Sequence, residues 1–266
     1  MTHDHAEAIR QAVRARYGTI AQADTVGCGC QPASCCAPGD LTTPDTTALS
    51  LGYTSADVAT VPAGANMGLG CGNPQALAAL RPGETVLDLG SGGGFDCFLA
   101  ARAVGEQGQV IGVDMTAAMV SKARQNAARA GLRNVEFRLG EIEHLPVADQ
   151  SVDVILSNCV INLSPDKAQV FRDAFRVLKP GGRLAITDVV ATAALPETVR
   201  QDLALYTGCV AGAAVIVELT HMLAAAGFSA IHIQPRNESR AVIQQWAPGT
   251  KIEDLVVSAT IEATKP

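Results

Sequence analysis

Two groups of residues in this 266-residue chain have types and spacing that can do chemistry. The first is Val86-Leu87-Asp88-Leu89-Gly90-Ser91-Gly92-Gly93-Gly94-Phe95-Asp96, a glycine-rich turn between a buried apolar run and a helical stretch. Glycines let the backbone turn sharply and let a ligand approach where any Cβ would collide, which is what a nucleotide-type cofactor loop needs. The next apolar run ends in Val113-Asp114, and an acid at that place can accept hydrogen bonds from both hydroxyls of a ribose. A dinucleotide loop would read G-x-G-x-x-G, whereas here Gly90, Gly92 and Gly94 follow Asp88. A carboxylate beside the loop repels a pyrophosphate and suits a cationic ligand such as the amino group of methionine.

The second group is the cysteines: Cys28, Cys30, Cys35, Cys36, Cys71, Cys97, Cys159 and Cys209. Three have distinctive surroundings, in Gly68-Leu69-Gly70-Cys71-Gly72-Asn73-Pro74, in Ser157-Asn158-Cys159-Val160-Ile161-Asn162-Leu163 and in Gly208-Cys209-Val210-Ala211-Gly212-Ala213. Cys159 directly follows the fourth predicted strand, and ligands of open parallel sheets bind at the carboxyl ends of strands. The segments of Cys71 and Cys209 are expected to fold over that same end, so three thiols converge. Three soft thiolates suit a soft, three-coordinate centre; with no C-x-x-C pair and no His at ligand spacing, zinc is a poor fit. Cys97 reads as a packed core residue, Cys28 and Cys30 as spare loop thiols, and the five histidines (His3, His5, His144, His221 and His232) as bystanders.

The elements that must position these groups follow from periodicity. Short β-branched runs at Thr85 to Leu89, Gln109 to Val113, Val135 to Leu139, Val152 to Ser157 and Arg183 to Asp188 alternate with helical stretches at Phe95 to Val104, Ala117 to Ala130 and Lys167 to Leu178. That alternation predicts a mostly parallel sheet with helices on both faces, an α/β fold. Lys179-Pro180-Gly181-Gly182 is expected to break the chain cleanly ahead of the fifth strand, and Ala230 to Gln234 and Leu255 to Glu262 to close the sheet as an antiparallel edge. His221 to Ala226 reads as a helix ending at Gly227. Apolar groups at Ala8, Ile9, Ala12, Val13 and Tyr17 predict an amphipathic helix over residues 5 to 17 that Gly18 ends, and residues 21 to 47 read as a mobile loop. The expected organisation is an N-terminal helix with a Cys-rich loop over 1–64, a cofactor-binding core over 65–190 and a C-terminal elaboration over 191–266.

Composition narrows the function. Twenty Lys and Arg against 26 Asp and Glu give a net charge of −6, which excludes a protein living on phosphate backbones, so no nucleic acid partner is expected. No apolar run is long enough to span a bilayer, and the amino terminus lacks the basic start and apolar middle of a secretory leader. A cytoplasmic protein without a membrane partner is expected, and there cysteines serve as ligands, redox thiols or small core residues rather than permanent disulfides.

The Asp88-x-Gly90-x-Gly92 loop, Asp114, the Gly140-Glu141-Ile142-Glu143 turn before Leu145-Pro146, the Asp153 to Asn158 run and Leu178 to Gly182 together resemble class I S-adenosylmethionine-dependent methyltransferases, over roughly residues 65 to 235. That resemblance implies their Rossmann-like sheet and S-adenosylmethionine as cofactor. It further implies that Asp88, Gly90 and Gly92 hold the methionine end, Asp114 the ribose, Ile142 with Glu143 or Glu141 the adenine, that Met115 also binds the cofactor, and that Asn158 faces the methyl group. The three cysteine motifs, with Leu51-Gly52-Tyr53, Val61-Pro62-x-Gly64-Ala65-Asn66, Trp246-Ala247-Pro248-Gly249 and Val256 to Pro266, resemble arsenite methyltransferases from Tyr17 to the carboxyl end. That family implies Cys159 and Cys209 as ligands of trivalent arsenic, Cys71 as a third thiol, and Cys35 or Cys36 as the loop cysteine that pairs with Cys71 during turnover.

The chemistry so implied is coherent. Thiolate-bound trivalent arsenic keeps a lone pair that can attack the sulfonium methyl, so no general base is needed. Transfer leaves arsenic pentavalent, and the two electrons released when Cys71 and Cys35 or Cys36 form a disulfide would return it, with thioredoxin or glutathione resetting the thiols by exchange. Arsenite, its thiol adducts and methylarsenite are the expected substrates, and a monomer is the default. Two other functions compete: methylation of an organic acceptor of quinone or sterol type, and thiol-based arsenic binding without catalysis. The first would leave the three cysteines without a role; the second would leave the glycine loop and Asp114 without one.

Overall fold

In the computed structural model, residues 3–23, 43–244, 246 and 251–266 are described. The central strands form where the sequence places continuous apolar runs: β1 (Thr85–Leu89), β2 (Gln109–Asp114), β3 (Val135–Leu139), β4 (Val152–Asn158) and β5 (Leu178–Ala191), then β6 (Ser229–Arg236) and β7 (Val256–Thr264). They make one sheet in the order β3-β2-β1-β4-β5-β7-β6. The first five are parallel, and β7 runs antiparallel between β5 and β6, one place in from the edge.

The period-two alternation of a strand sends successive side chains to opposite faces, and each face has its own helical cover. Leu87, Ile155 and Ile186 meet α7 (Lys167–Val177) and α10 (Ile216–Ala226) through Val170, Phe171, Leu219 and Leu223. Val86, Val154 and Leu156 meet α5 (Phe95–Val104) and α6 (Ala117–Ala130) through Cys97, Phe98, Ala123 and Ala127. The remaining helices are α1 (His3–Gln22), α2 (Pro44–Ser50), α3 (Ser55–Thr60), α4 (Gln75–Ala78), α8 (Glu197–Arg200), α9 (Leu203–Thr207) and α11 (Arg240–Ile243). A third apolar cluster lies at the carboxyl end of the sheet. There Ile9 and Val13 of α1 pack with Cys71, Cys159, Tyr206 and Cys209.

Three local expectations are corrected. The N-terminal helix runs through Gly18 to Gln22, because Gly18 lies against Thr116 at the start of α6 and the packing outweighs the weak helix preference of one glycine. Lys179-Pro180-Gly181-Gly182 does not end one element before another begins. β5 starts at Leu178, which pairs with Val152, and continues through a register shift, with Gly181 N–H donating to Lys265 O (2.8 Å). The segment read as a loop up to residue 47 ends earlier, since Thr43 caps α2 by accepting from Thr46 N–H.

Candidate functional site

A cleft opens at the carboxyl ends of β1, β2 and β4, lined among others by Gly90, Gly92, Asp114, Ile142, Glu143 and Asn158. Asp88 and Met115 also line it. Of the two candidate adenine-side acids, Glu143 reaches the cleft, whereas Glu141 turns outward to Arg10 and Arg14 of α1. The glycine loop is tied to its acidic partner directly: Asp114 Oδ2 accepts from Gly92 N–H (3.0 Å) and Oδ1 from Thr116 N–H (2.8 Å). Gly90 and Gly92 both have left-handed backbones, with φ of +68° and +51°. A Cβ on Gly90 would strike Val160, while one on Gly92 would point into open space.

The cleft is strongly acidic. Asp88 is buried, and among the described residues the one hydrogen bond to its carboxylate comes from the Cys97 thiol, which donates to Oδ2 at 3.2 Å. Burial, and after it the Asp96 carboxylate, push the Asp88 carboxyl well above its usual range. Asp96 accepts from the Tyr53 hydroxyl (2.8 Å) and from Asn158 Nδ2 (3.3 Å), and burial raises it too, as it raises Asp114. The Ser91 hydroxyl, buried at the cleft wall, has no hydrogen-bond partner among the described residues. Buried carboxylates short of positive charge, a partnerless hydroxyl and a turn open at Gly92 fit a cationic ligand with a ribose, as S-adenosylmethionine is.

The thiols gather behind this cleft. β4 ends at Asn158, and Cys159 follows in a left-handed conformation (φ +60°), its N–H donating to Thr187 O at 2.8 Å. Asn158 joins the two halves of the site: Oδ1 accepts from Cys71 N–H (3.0 Å) and the Thr187 hydroxyl (3.1 Å), and Nδ2 donates to Gly72 O (2.9 Å) and the Tyr53 hydroxyl (3.0 Å). This contact explains the glycines around Cys71. A Cβ on Gly70 would lie 2.7 Å from Asn158 Nδ2, and one on Gly72 would lie 2.8 Å from Thr187 Cβ. The sulfurs of Cys71 and Cys159 and a carboxylate oxygen of Asp188 all lie within 4.8 Å of one another. Cys209 is also left-handed (φ +64°), and its thiol donates to Cys159 O at 2.9 Å. All three thiols are buried. Hydrogen bonds with the Cys209 and Cys71 thiols, and burial after them, push the Cys159 thiol well up, and burial raises Cys71.

Cys159 lines the cofactor cleft itself. Cys28, Cys30, Cys35 and Cys36, and Ala247 to Gly249, lie outside the described residues. Cys97 sits in the core as expected, and it also serves Asp88.

Other residues of the site were not singled out from sequence. Asp188 ends the stretch read as the fifth strand, the same position that drew attention to Asp114, so an acid at a strand's carboxyl end was the available signal. It is held by Asn162, whose Nδ2 donates to Asp188 Oδ1 (2.9 Å), and burial raises its pKa to about 6. Asp96 and Arg10 carried no comparable signal. They matter because the fold brings them against Tyr53 and against Glu143 (3.4 Å for the Arg10 pair).

A methyltransferase domain family model matches residues 80–227. An arsenite methyltransferase of Halobacterium salinarum is 54% identical over 98% of this chain and 67% of its own length. The chain belongs to the arsenite methyltransferase family. The human arsenite methyltransferase is 43% identical over 54% of this chain, and the match spans 40% of that protein. The crystal structure of an arsenic (III) S-adenosylmethionine methyltransferase from Chlamydomonas reinhardtii superposes with a TM-score of 0.63 at 32% identity, covering 85% of this chain and 75% of that one. The family's members are methyltransferases, and the sheet order and the cleft at its carboxyl end accord with that fold. Among the described residues, no helix is long and apolar enough to cross a membrane.

Proposed function

We propose that this chain methylates trivalent arsenic with S-adenosylmethionine, holding the arsenic as a thiolate of Cys159 and Cys209 with Cys71 as a third ligand. The observation that carries the reading is the convergence of three buried thiols at the end of β4, with Cys159 alone of them lining the cofactor cleft. Bound S-adenosylmethionine supplies an electrophilic methyl group. Asp88 and Asp96 would hold its methionine end, Asp114 and Met115 its ribose, and Ile142 and Glu143 its adenine. Asn158 orders the floor between the two sites by bonding Cys71 N–H and Gly72 O.

The chain's own contribution is positional. Arsenic bound by thiolates retains its lone pair and loses no proton on methylation, so no base is required. Orientation alone supplies on the order of 7 kcal/mol of a barrier of this kind. Burial of all three sulfurs keeps water from the arsenic. Their raised pKa values keep Cys71 and Cys159 protonated in the empty site, and each of these protons leaves as water when the thiol displaces an arsenic hydroxide.

A methylated arsenic is pentavalent and needs two electrons. We assign these to the thiols of Cys71 and of Cys35 or Cys36, which are oxidised to a disulfide as arsenic returns to the trivalent state and are then reset by thioredoxin or glutathione, in a cytoplasmic, monomeric enzyme. A single-turnover assay with radiolabelled S-adenosylmethionine, arsenite and glutathione tests the central claim. Labelled methylarsenic is expected from the wild type and not from Cys159→Ser. Cofactor binding without methylarsenic in the wild type would move the acceptor to an organic molecule.

A further inference from the structure

The backbones of Cys159 and Cys209 are both left-handed, a conformation that side chains other than glycine avoid and that persists only where the surroundings enforce it. Cys159 is enforced by the sheet, through its N–H to Thr187 O. Cys209 lies outside any regular element, in the turn after α9, so its restraint must come from elsewhere.

α1 presents two rows of side chains at helical spacing to this end of the sheet. Ile9, Val13 and Tyr17, each four residues apart, run along the apolar cluster that contains the thiols. Arg10 and Arg14 form a second row, paired with Glu141 and, from Arg10, with Glu143 at the adenine side of the cleft. Arg16 and Tyr17 grip the end of α9. Arg16 Nη1 donates to Thr207 Oγ1 (3.0 Å) and Ala204 O (3.4 Å), and the Tyr17 hydroxyl donates to Thr207 O (3.3 Å), two residues before Cys209. From Arg10 to Tyr17 is about 10 Å along the helix, so one rigid rod touches both the cofactor cleft and the thiol turn. Tyr17 itself lines the cleft, which Cys209 does not.

We propose that Tyr17 is a positioning residue: its hydroxyl, bonded to the turn at Thr207, holds Cys209 in the left-handed conformation that aims its thiol at Cys159. This rests on the reading of Cys209 as an arsenic ligand. Burial of the hydroxyl, and after it the nearby Cys209 and Cys159 sulfurs, push the phenol well above its usual pKa. Without it, the ties left to this turn among the described residues include the Arg16 bonds to Thr207 and Ala204, Asn162 Nδ2 to Cys209 O (3.3 Å), the Cys209 thiol to Cys159 O, and the turn bonds of Cys209 N–H to Tyr206 O and Val210 N–H to Leu205 O.

The test is Tyr17→Phe, which keeps the ring and removes the hydroxyl, with Arg16→Ala as a second variant acting on the same turn. Three quantities are compared with the wild type: labelling of Cys209 and Cys97 by iodoacetamide under native conditions, arsenite affinity from sulfur–arsenic absorption in the ultraviolet, and affinity for S-adenosylhomocysteine. Cys209 labelling is expected to rise about fivefold and arsenite to bind about fivefold more weakly, the factor corresponding to one neutral hydrogen bond. Cys97 labelling stays within about twofold of wild type in both variants, and so does S-adenosylhomocysteine affinity in Arg16→Ala, whose side chain does not line the cleft. Arg16→Ala moves the same two quantities in the same direction. Unchanged Cys209 labelling in Tyr17→Phe overturns the proposal. So does an equal rise at Cys97, which would be general loosening. If the wild type binds no arsenite, the arsenic reading fails, and Cys209 labelling still decides whether Tyr17 holds the turn.

Discussion

Replacing Gly90 and Gly92 separately by alanine should damage two different properties, although the residues lie two positions apart in one loop. Both are left-handed, at φ +68° and +51°. That conformation costs an L-residue about 1–2 kcal/mol. At Gly90 the new methyl would lie 2.4 Å from Val160 Cγ2 and 2.5 Å from Cγ1. Val160 would have to retreat by about 1 Å to restore ordinary contact, an overpacking worth about 1–3 kcal/mol more. A methyl on Gly92 would meet no atom of the described residues within 4 Å apart from its chain neighbours. Gly90→Ala should therefore cost about 3.5 kcal/mol and Gly92→Ala about 1.5 kcal/mol. In calorimetry of a chain this long, these correspond to Tm losses of about 10 °C and about 4 °C. Titration with S-adenosylhomocysteine should reverse the order relative to stability. The Gly92 methyl points into the cleft where the cofactor approaches, so Gly92→Ala should lose affinity about tenfold while staying the more stable variant. A Gly90→Ala protein as stable as Gly92→Ala would refute the assignment of Val160 as the obstacle. A Gly92→Ala protein with full cofactor affinity would refute the placement of the cofactor.

Two further variants probe the buried acids. Asp188 has a pKa of about 6 in the fold against 3.8 for a free side chain, raised first by burial. Its folded form therefore holds the proton more tightly, and the associated stability is lost as pH rises through that interval. Between pH 5 and 8 the wild type should lose about 1 kcal/mol relative to Asp188→Asn in paired urea titrations, and parallel pH profiles would contradict it. Tyr53→Phe removes the donor to Asp96 Oδ1 and one acceptor of Asn158 Nδ2, both in the cleft floor. A loss of about 1.5–3 kcal/mol in urea unfolding is expected, and an unchanged midpoint would show that the floor does not depend on this hydroxyl.

The strand–helix alternation, the glycine turn and Asp114 were legible because each depends on spacing within a short stretch. Strands and helices bury faces with periods that a single segment displays, and Gly90 to Gly94 occupy the one turn between β1 and α5. The cysteine motifs were legible as motifs, and their convergence followed from the rule that ligands sit at the carboxyl ends of parallel strands. What the segments could not display is which distant groups share a face. Tyr53 meets Asp96 across 43 positions and Asn158 across 105, and Asp188 meets Asn162 across 26. The length of α1 past Gly18, the outward turn of Glu141 toward Arg10 and Arg14, and the grip of Tyr17 on the Cys209 turn were decided in the same way. Each depends on two elements remote in the chain packing against each other. Helix and strand propensities fix only the direction of a side chain relative to its own backbone, and the partner it meets exists only once the layers have closed.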